Sequence, residues 1–269
     1  MSLSIQGKTA IVTGAARGIG LSIARQFVQA GAHVMFADSD EAALESELGA
    51  DFAGEGPIRA FAGDLGQKLT LANLVSATID AFDRVDILVN AHRMVQGCDP
   101  MTVTEEILAE MLRQNMISGL RLSQMVAKRM MAQAEEAEGN PLQSGAIVNV
   151  TSLAADWPQP HMLAYSIASA AQAQATRSLA SALAPKRIRV NGVAFASIMS
   201  NNMQLKLRED PALRERMIAA TPLGRIAGAD ELAETVQFLA SEASSFVTGQ
   251  ILRVDGGRSL GDPLAPGVY

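Results

Sequence analysis

Short apolar runs alternate with longer segments of helical periodicity along the chain. A short apolar run between turn residues is typical of a buried strand, whereas apolar residues at every third or fourth position predict an amphipathic helix. Because the two patterns alternate, the sequence predicts an α/β fold in which helices cover both faces of one doubly wound parallel sheet. The predicted strands are 9–12, 32–37, 58–63, 86–90, 145–152, 188–193 and 250–257.

The predicted helices lie between these strands, at 21–28, 71–82, 104–136, 165–184, 202–220 and 229–241. The long helix 104–136 is expected to be interrupted near Gln114 and Asn115, and the polar segment 135–141 is expected to be a surface loop. The amphipathic segment 202–220 is predicted to form one or two exposed helices of a substrate lid at about 198–222. Because we find no repeat, low-complexity tract or linker, we expect a single domain over residues 1–269.

Composition excludes several classes of protein. The chain has 269 residues, of which 48% are apolar and only 4% aromatic, so its core must be aliphatic. A net charge of −6 without a basic block argues against a nucleic-acid partner. Cys98 is the only cysteine, which excludes an internal disulfide and favours a reducing compartment. With no apolar run of membrane-spanning length and no signal-peptide pattern, we expect a cytoplasmic protein with no membrane partner.

A glycine-rich turn, Thr13–Gly20, separates the first predicted strand from the first predicted helix. Missing side chains allow a ligand to approach the backbone, and the helix N-terminus offers unpaired N–H groups to a pyrophosphate. Asp38 closes the second apolar run, where a carboxylate accepts the ribose hydroxyls of an adenosine and repels a 2′-phosphate. The three features together predict a dinucleotide site that prefers NAD to NADP.

The spacing of further residues resembles that of the short-chain dehydrogenases/reductases over nearly the whole chain. The turn matches the phosphate loop Thr-Gly-x-x-x-Gly-x-Gly of that family, and Ser152 lies thirteen residues before Tyr165, as the catalytic serine and tyrosine of the family do. Asp64-Leu65 match the pair that holds the adenine, and Asn115 matches a helix asparagine of a proton relay. The resemblance implies the Rossmann fold and a homo-oligomer, a dimer or a tetramer.

The resemblance also implies a reaction and a set of site residues. Tyr165 would exchange a proton with an alcohol or ketone substrate while hydride moves to or from NAD, Ser152 would hydrogen-bond the reacting oxygen, and Asn115 would hold a relay water. The implied cofactor-binding residues are Gly14, Arg17, Gly18, Ile19, Gly20, Asp38, Asp64, Leu65, Asn90, Ala91, Tyr165, Ile198 and Ser200. No metal site is expected, because His161 has no partner at ligand spacing.

Three places in the sequence depart from the family pattern. Ser169 stands where the family has the lysine of Tyr-x-x-x-Lys; a cation about 4 Å from a tyrosine could lower its pKa by up to about 3. The family sequence Asn-Asn-Ala-Gly is Asn90-Ala91-His92-Arg93 here, and its Pro-Gly is Phe195-Ala196. The loss of the lysine predicts weakened acid–base catalysis.

Three interpretations of these departures stay open. The first is drift in a protein that keeps the fold and has lost fast chemistry. The second is that His92 or Arg93 supplies the missing positive charge from across the crevice. The third is a substrate that needs little acid–base help. A different class of function, a non-catalytic nucleotide-binding protein that acts through oligomer or partner contacts, is the alternative to an oxidoreductase.

Overall fold

One parallel sheet of seven strands forms the centre of the part of the chain that the computed structural model describes, residues 2–137, 143–196 and 198–260. The strands are β1 (Thr9–Thr13), β2 (His33–Asp38), β3 (Ile58–Ala62), β4 (Ile87–Asn90), β5 (Gly145–Ser152), β6 (Ile188–Phe195) and β7 (Ile251–Val254). Their order in the sheet is β3-β2-β1-β4-β5-β6-β7. The chain therefore reverses direction across the sheet between β1 and β4, and parallel α/β sheets bind ligands beyond the strand ends at such a point.

Nine α-helices lie within the described ranges: α1 (Gly18–Gln29), α2 (Glu41–Leu48), α3 (Lys68–Phe82), α4 (Glu105–Leu112), α5 (Ser118–Glu136), α6 (Leu163–Leu183), α7 (Asn201–Glu209), α8 (Pro211–Ala219) and α9 (Ala229–Ala240). None of the helices in these ranges is long and apolar enough to cross a bilayer.

The alternation of side chains along each strand supplies two aliphatic cores, one on each face of the sheet. Val12 packs in the core that contains α1, α2 and α9, whereas its neighbour Ile11 packs in the core formed with α3, α5 and α6. Successive strand residues point to opposite faces, so an apolar strand must be covered on both. The prediction of a doubly wound parallel sheet with helices on both faces is confirmed.

The element boundaries agree with the predicted pattern except at a few places. Helix α2 was not predicted, because only Leu44 and Leu48 of this polar segment are buried. The predicted interruption of the long helix is a π-helical turn at Arg113–Ile117 between α4 and α5. Strand β6 continues to Phe195, two residues beyond the prediction. Residues 138–141 of the predicted polar loop and the tail 261–269 lie outside the described residues.

His92 connects three elements around the switch point between β1 and β4. Its Nδ1 lies 2.7 Å from the hydroxyl of Thr13 at the end of β1, and its Nε2 lies 2.7 Å from the hydroxyl of Ser118 at the start of α5. Desolvation lowers the pKa of His92 from 6.5 to about 4, against weaker opposing effects of Asp38 and other neighbours. The ring is therefore neutral at pH 7, and His92 does not supply the positive charge considered above.

The lowered pKa predicts how stability depends on pH. Protons bind His92 in the unfolded chain below pH 6.5 but in the folded chain only near pH 4, so acid favours unfolding in this window. As the pH is lowered from 6.5 to 4, we expect the free energy of unfolding of the wild type to fall, relative to that of His92→Ala, by about 1.4 kcal/mol per pH unit. Urea titrations from pH 8 to pH 4.5 measure this difference. The exposed His161 provides the control, since the free energy of unfolding of His161→Ala should depend on pH as that of the wild type does. The same pH dependence in His92→Ala would contradict the assignment.

Candidate functional site

A cavity of about 520 Å³ opens where the ends of β1, β2 and β4 meet. Ten of the thirteen predicted cofactor-binding residues line it: Gly14, Arg17, Gly18, Ile19, Gly20, Asp38, Asp64, Leu65, Ala91 and Ser200. The other three, Asn90, Tyr165 and Ile198, are not among the described residues of the lining. The fold thus brings most of the predicted nucleotide site together in one space.

The glycine-rich turn approaches its neighbours too closely for side chains. Gly14 and Gly18 have φ angles of 69° and 59°, a region that L-residues with side chains rarely adopt. A methyl group at Gly20 would overlap the carbonyl oxygen of Gly14, so the first turn of α1 packs directly on the loop. Arg17 at the N-cap makes no capping bond with its side chain, and no acidic residue stands in the first turn. This cradle and the uncapped helix end fit the pyrophosphate of a dinucleotide.

Asp38 presents its carboxylate to the cavity from the end of β2. One oxygen accepts a bond from the amide of Ala16 at 3.0 Å, and the other accepts from the amide of Asp40 at 3.1 Å. Asp40 in turn pairs with the Arg17 side chain. A carboxylate oxygen has a second lone pair, so each remains able to accept a hydroxyl.

Asp64 and Leu65 form the wall of the cavity beyond β3. The Asp64 carboxylate accepts a bond from the amide of Gly66 at 2.8 Å and lies 3.7 Å from the guanidinium of Arg113. Leu65 is buried. Asp64 is thus held by its own loop and by the π-helical turn, and Leu65 offers an apolar surface suited to a base.

Ser152 lies at the end of β5, and Tyr165 lies in the first turn of α6. The Ser152 hydroxyl accepts a bond from the amide of Ala154 at 3.2 Å, and Ala154 packs in the small apolar cluster that contains Tyr165 and Met111. Neither Ser152 nor Tyr165 belongs to the described lining of the nucleotide cavity. Their catalytic roles remain predictions.

Asn115 occupies the π-helical turn and connects it to the loop after β4. Its side-chain oxygen accepts a bond from the amide of Met94 at 2.7 Å, and its nitrogen donates to the Met94 carbonyl at 2.8 Å. The side chain therefore fixes the loop that carries Arg93 into the cavity. A relay water at Asn115 stays a prediction.

Asn90 and Ile198, which the resemblance placed at the cofactor, are buried in the protein. The amide of Asn90 donates to Asn149 at 2.8 Å and to Ser123 at 3.0 Å, which joins β4 to β5 and α5. Ile198 forms a backbone bridge with Ala227. In this structure both residues support the walls of the site.

Ser169 is buried on α6, and its hydroxyl donates to the carbonyl of Tyr165 at 2.8 Å. Because this hydroxyl is short, uncharged and bonded within its own helix, it cannot supply the positive charge of a lysine side chain.

The sequence did not reveal the pairing of Arg93 with Phe195. The Arg93 guanidinium carbon lies 4.3 Å from the centroid of the Phe195 ring, and Arg93 lines the cavity. Both residues had been noted as departures, but they stand far apart in the chain and no local pattern couples them. Gln114, Ser39 and Asp40 are further lining residues that sequence reasoning missed. The described ranges contain no group of three or more His, Cys, Asp or Glu side chains that could hold a metal.

Comparisons with known proteins agree with this geometry. A family model described as enoyl-(acyl carrier protein) reductase matches residues 14–259. The 7α-hydroxysteroid dehydrogenase of Escherichia coli (strain K12) is 34% identical over 256 residues, which are 95% of this chain and 96% of that protein.

Two solved structures are similar over nearly their whole length. A 7α-hydroxysteroid dehydrogenase complexed with NADH and 7-oxo glycochenodeoxycholic acid has a TM-score of 0.83 at 33% identity, with 95% of each chain covered. A gluconate 5-dehydrogenase from Burkholderia cenocepacia J2315, in complex with NADP and tartrate, has a TM-score of 0.85 at 26% identity, with 97% of this chain and 98% of that chain covered. The match of the family model across the glycine-rich turn and the strand ends, together with these relatives, shows that the chain belongs to the short-chain dehydrogenase/reductase family of oxidoreductases.

Proposed function

We propose that this protein transfers hydride between NAD and a small molecule with an alcohol or ketone group. The observation that carries the proposal is that the glycine cradle, the uncapped end of α1 and the Asp38 carboxylate all line one cavity. The similar structures that contain NADH and NADP support a nicotinamide cofactor, and Asp38 favours NAD between the two. The related proteins are dehydrogenases and reductases, which favours an enzyme over a non-catalytic nucleotide-binding protein.

Bound NAD supplies the hydride acceptor or, once reduced, the hydride donor. The Tyr165 hydroxyl gives a proton to the substrate oxygen in reduction and takes one in oxidation, and the Ser152 hydroxyl hydrogen-bonds the same oxygen. The apolar cluster around Tyr165 holds the ring in place and limits the access of water. The lid 198–222, the homo-oligomer and the cytoplasmic location belong to the same proposal and rest on the sequence pattern and the family.

The side chain at position 169 sets the strength of this acid–base step. With Ser169 in place of a lysine, no ammonium from α6 favours the ionised form of Tyr165, so proton transfer at neutral pH is slow in our proposal. The Ser169 hydroxyl donates to the backbone carbonyl of Tyr165, not to the phenol.

Replacing the phenol tests the proposed reaction. Tyr165→Phe keeps the ring in its apolar cluster and removes the proton donor, so we expect turnover to fall by about 10²–10⁴ while the NAD affinity is unchanged. The measurements are nicotinamide absorbance at 340 nm with a panel of alcohols and ketones, and calorimetric titration with NAD. Unchanged turnover in Tyr165→Phe would rule Tyr165 out as the acid.

The cofactor preference can be tested at Asp38. The wild type should bind NAD more tightly than NADP, because a 2′-phosphate would meet the carboxylate. Asp38→Ser removes this charge and should shift the NADP to NAD affinity ratio by about tenfold or more, the equivalent of about 1.4 kcal/mol. Asp51→Asn, an exposed acid outside the cavity, provides the matched loss of charge and should leave the ratio unchanged. Tight NADP binding by the wild type would contradict the assignment.

A lysine at position 169 tests whether the missing charge limits the rate. We expect Ser169→Lys to raise turnover at pH 7 by about tenfold or more over Ser169→Met, which has a side chain of similar length without the charge. The pH at which the rate reaches half its plateau should also fall in the lysine variant. Equal rates in the two folded variants would show that another step limits turnover.

A further inference from the structure

We propose that Arg93 binds the phosphoryl groups of the nucleotide that occupies the cavity, and so acts as the anion-binding side chain of the site. The inference rests on the proposed function only in taking the ligand to be a nucleotide.

The charges of the lining are distributed unevenly. In the described part of the chain five charged side chains line the cavity: Arg17, Asp38, Asp40, Asp64 and Arg93. Arg17 is neutralised by its ion pair with Asp40. Asp38 and Asp64 accept bonds from backbone amides, and Asp64 also faces the Arg113 guanidinium. Arg93 thus remains the lining cation without a carboxylate partner among the described residues.

The side chain of Arg93 is held in a way that leaves its donors available. Its guanidinium lies over the Phe195 ring, 4.3 Å from the centroid, and makes no hydrogen bond to a described residue. A cation–π contact fixes the position of a guanidinium and does not consume its N–H donors. The loop beneath it is fixed as well, because Asn115 holds the backbone of Met94 on both sides. Since no described residue occupies the five N–H donors of this fixed guanidinium, they can bind an anion.

A second positive feature converges on the same space. Gly18 and Ile19 line the cavity at the N-terminus of α1, which has neither a side-chain cap nor an acidic residue in its first turn. Helix N-termini attract phosphate, and guanidinium binds phosphate with two parallel hydrogen bonds. If the adenosine lies at Asp38 and Leu65, its phosphoryl groups lie between the N-terminus of α1 and Arg93.

A series of ligands of increasing length tests the inference without turnover. Adenosine has no phosphate, ADP adds the pyrophosphate, and ADP-ribose adds the second ribose, so each step isolates one contact. We expect Arg93→Met to weaken ADP and ADP-ribose by about tenfold or more and to leave adenosine unchanged. The affinity of the wild type for ADP should also fall more steeply with added NaCl than that of the variant. Competition calorimetry measures all three affinities.

Two further variants test whether the loss of affinity comes from the Arg93 charge itself. Arg121→Met removes an exposed arginine of α5 and should bind every ligand as the wild type does. Phe195→Leu keeps the Arg93 charge and removes the ring beneath it, so it should weaken ADP by less than Arg93→Met does. Circular dichroism verifies that each variant is folded.

The outcomes distinguish this inference from the proposed function. Loss of ADP-ribose affinity with unchanged ADP affinity in Arg93→Met would overturn the inference and move the contact to the second ribose, where a cation could replace the lost lysine. Unchanged affinities for all three ligands would overturn it outright and leave the proposed function intact. A wild type that binds neither ADP nor NAD would overturn both. Phosphate-dependent weakening in a protein without hydride transfer would support Arg93 and refute the oxidoreductase.

Discussion

The close approach of two backbones, at the point where the chain reverses direction across the sheet, governs the rest of the site. A methyl group at Gly14 would lie only 2.8 Å from backbone atoms of His92, so only glycine allows the loop after β1 to meet the loop after β4. The Thr13 hydroxyl fixes this junction by accepting bonds from the amides of Ala91 and His92. Because Gly14 lies in the glycine-rich turn that lines the cavity, this contact sets where the cavity can form.

Hydrogen bonds connect the same junction to the helices behind the cavity. His92 connects it to Ser118 at the start of α5, and the Asn115 side chain connects Met94 of the same loop to the π-helical turn. A π-helical turn inserts one extra residue into a helix and turns side chains that a regular helix would direct elsewhere. Here it places Asn115 beneath the loop and Arg113 against Asp64. Asp64 and the loop that carries Arg93 are thus both positioned by one irregular turn.

Local pattern in the sequence predicted the strands, the sheet class, the glycine-rich turn and Asp38. The family resemblance supplied the rest of the ten predicted residues that line the cavity. Apolar runs mark buried strands, and Gly14, Gly18 and Asp38 follow a strand at fixed spacing. Helix α2 escaped prediction because two buried leucines carry too weak a periodicity. The burial of Asn90 and the stacking of Arg93 on Phe195 depend on residues distant in the chain, which no local pattern joins.

The departures from the family pattern form a physically coupled group. Strand β6 pairs with β5 so that Phe195 lies opposite Ser152, and the aromatic ring then provides a platform for the guanidinium that stands in place of a glycine. His92, the other new residue of that loop, is bonded at both ring nitrogens. Two residues distant in the chain thus contact each other, and the third residue, His92, completes a hydrogen-bonded connection in the same loop. The positive charge of this group therefore lies on the loop after β4, where the Phe195 ring holds the Arg93 guanidinium at the wall of the cavity.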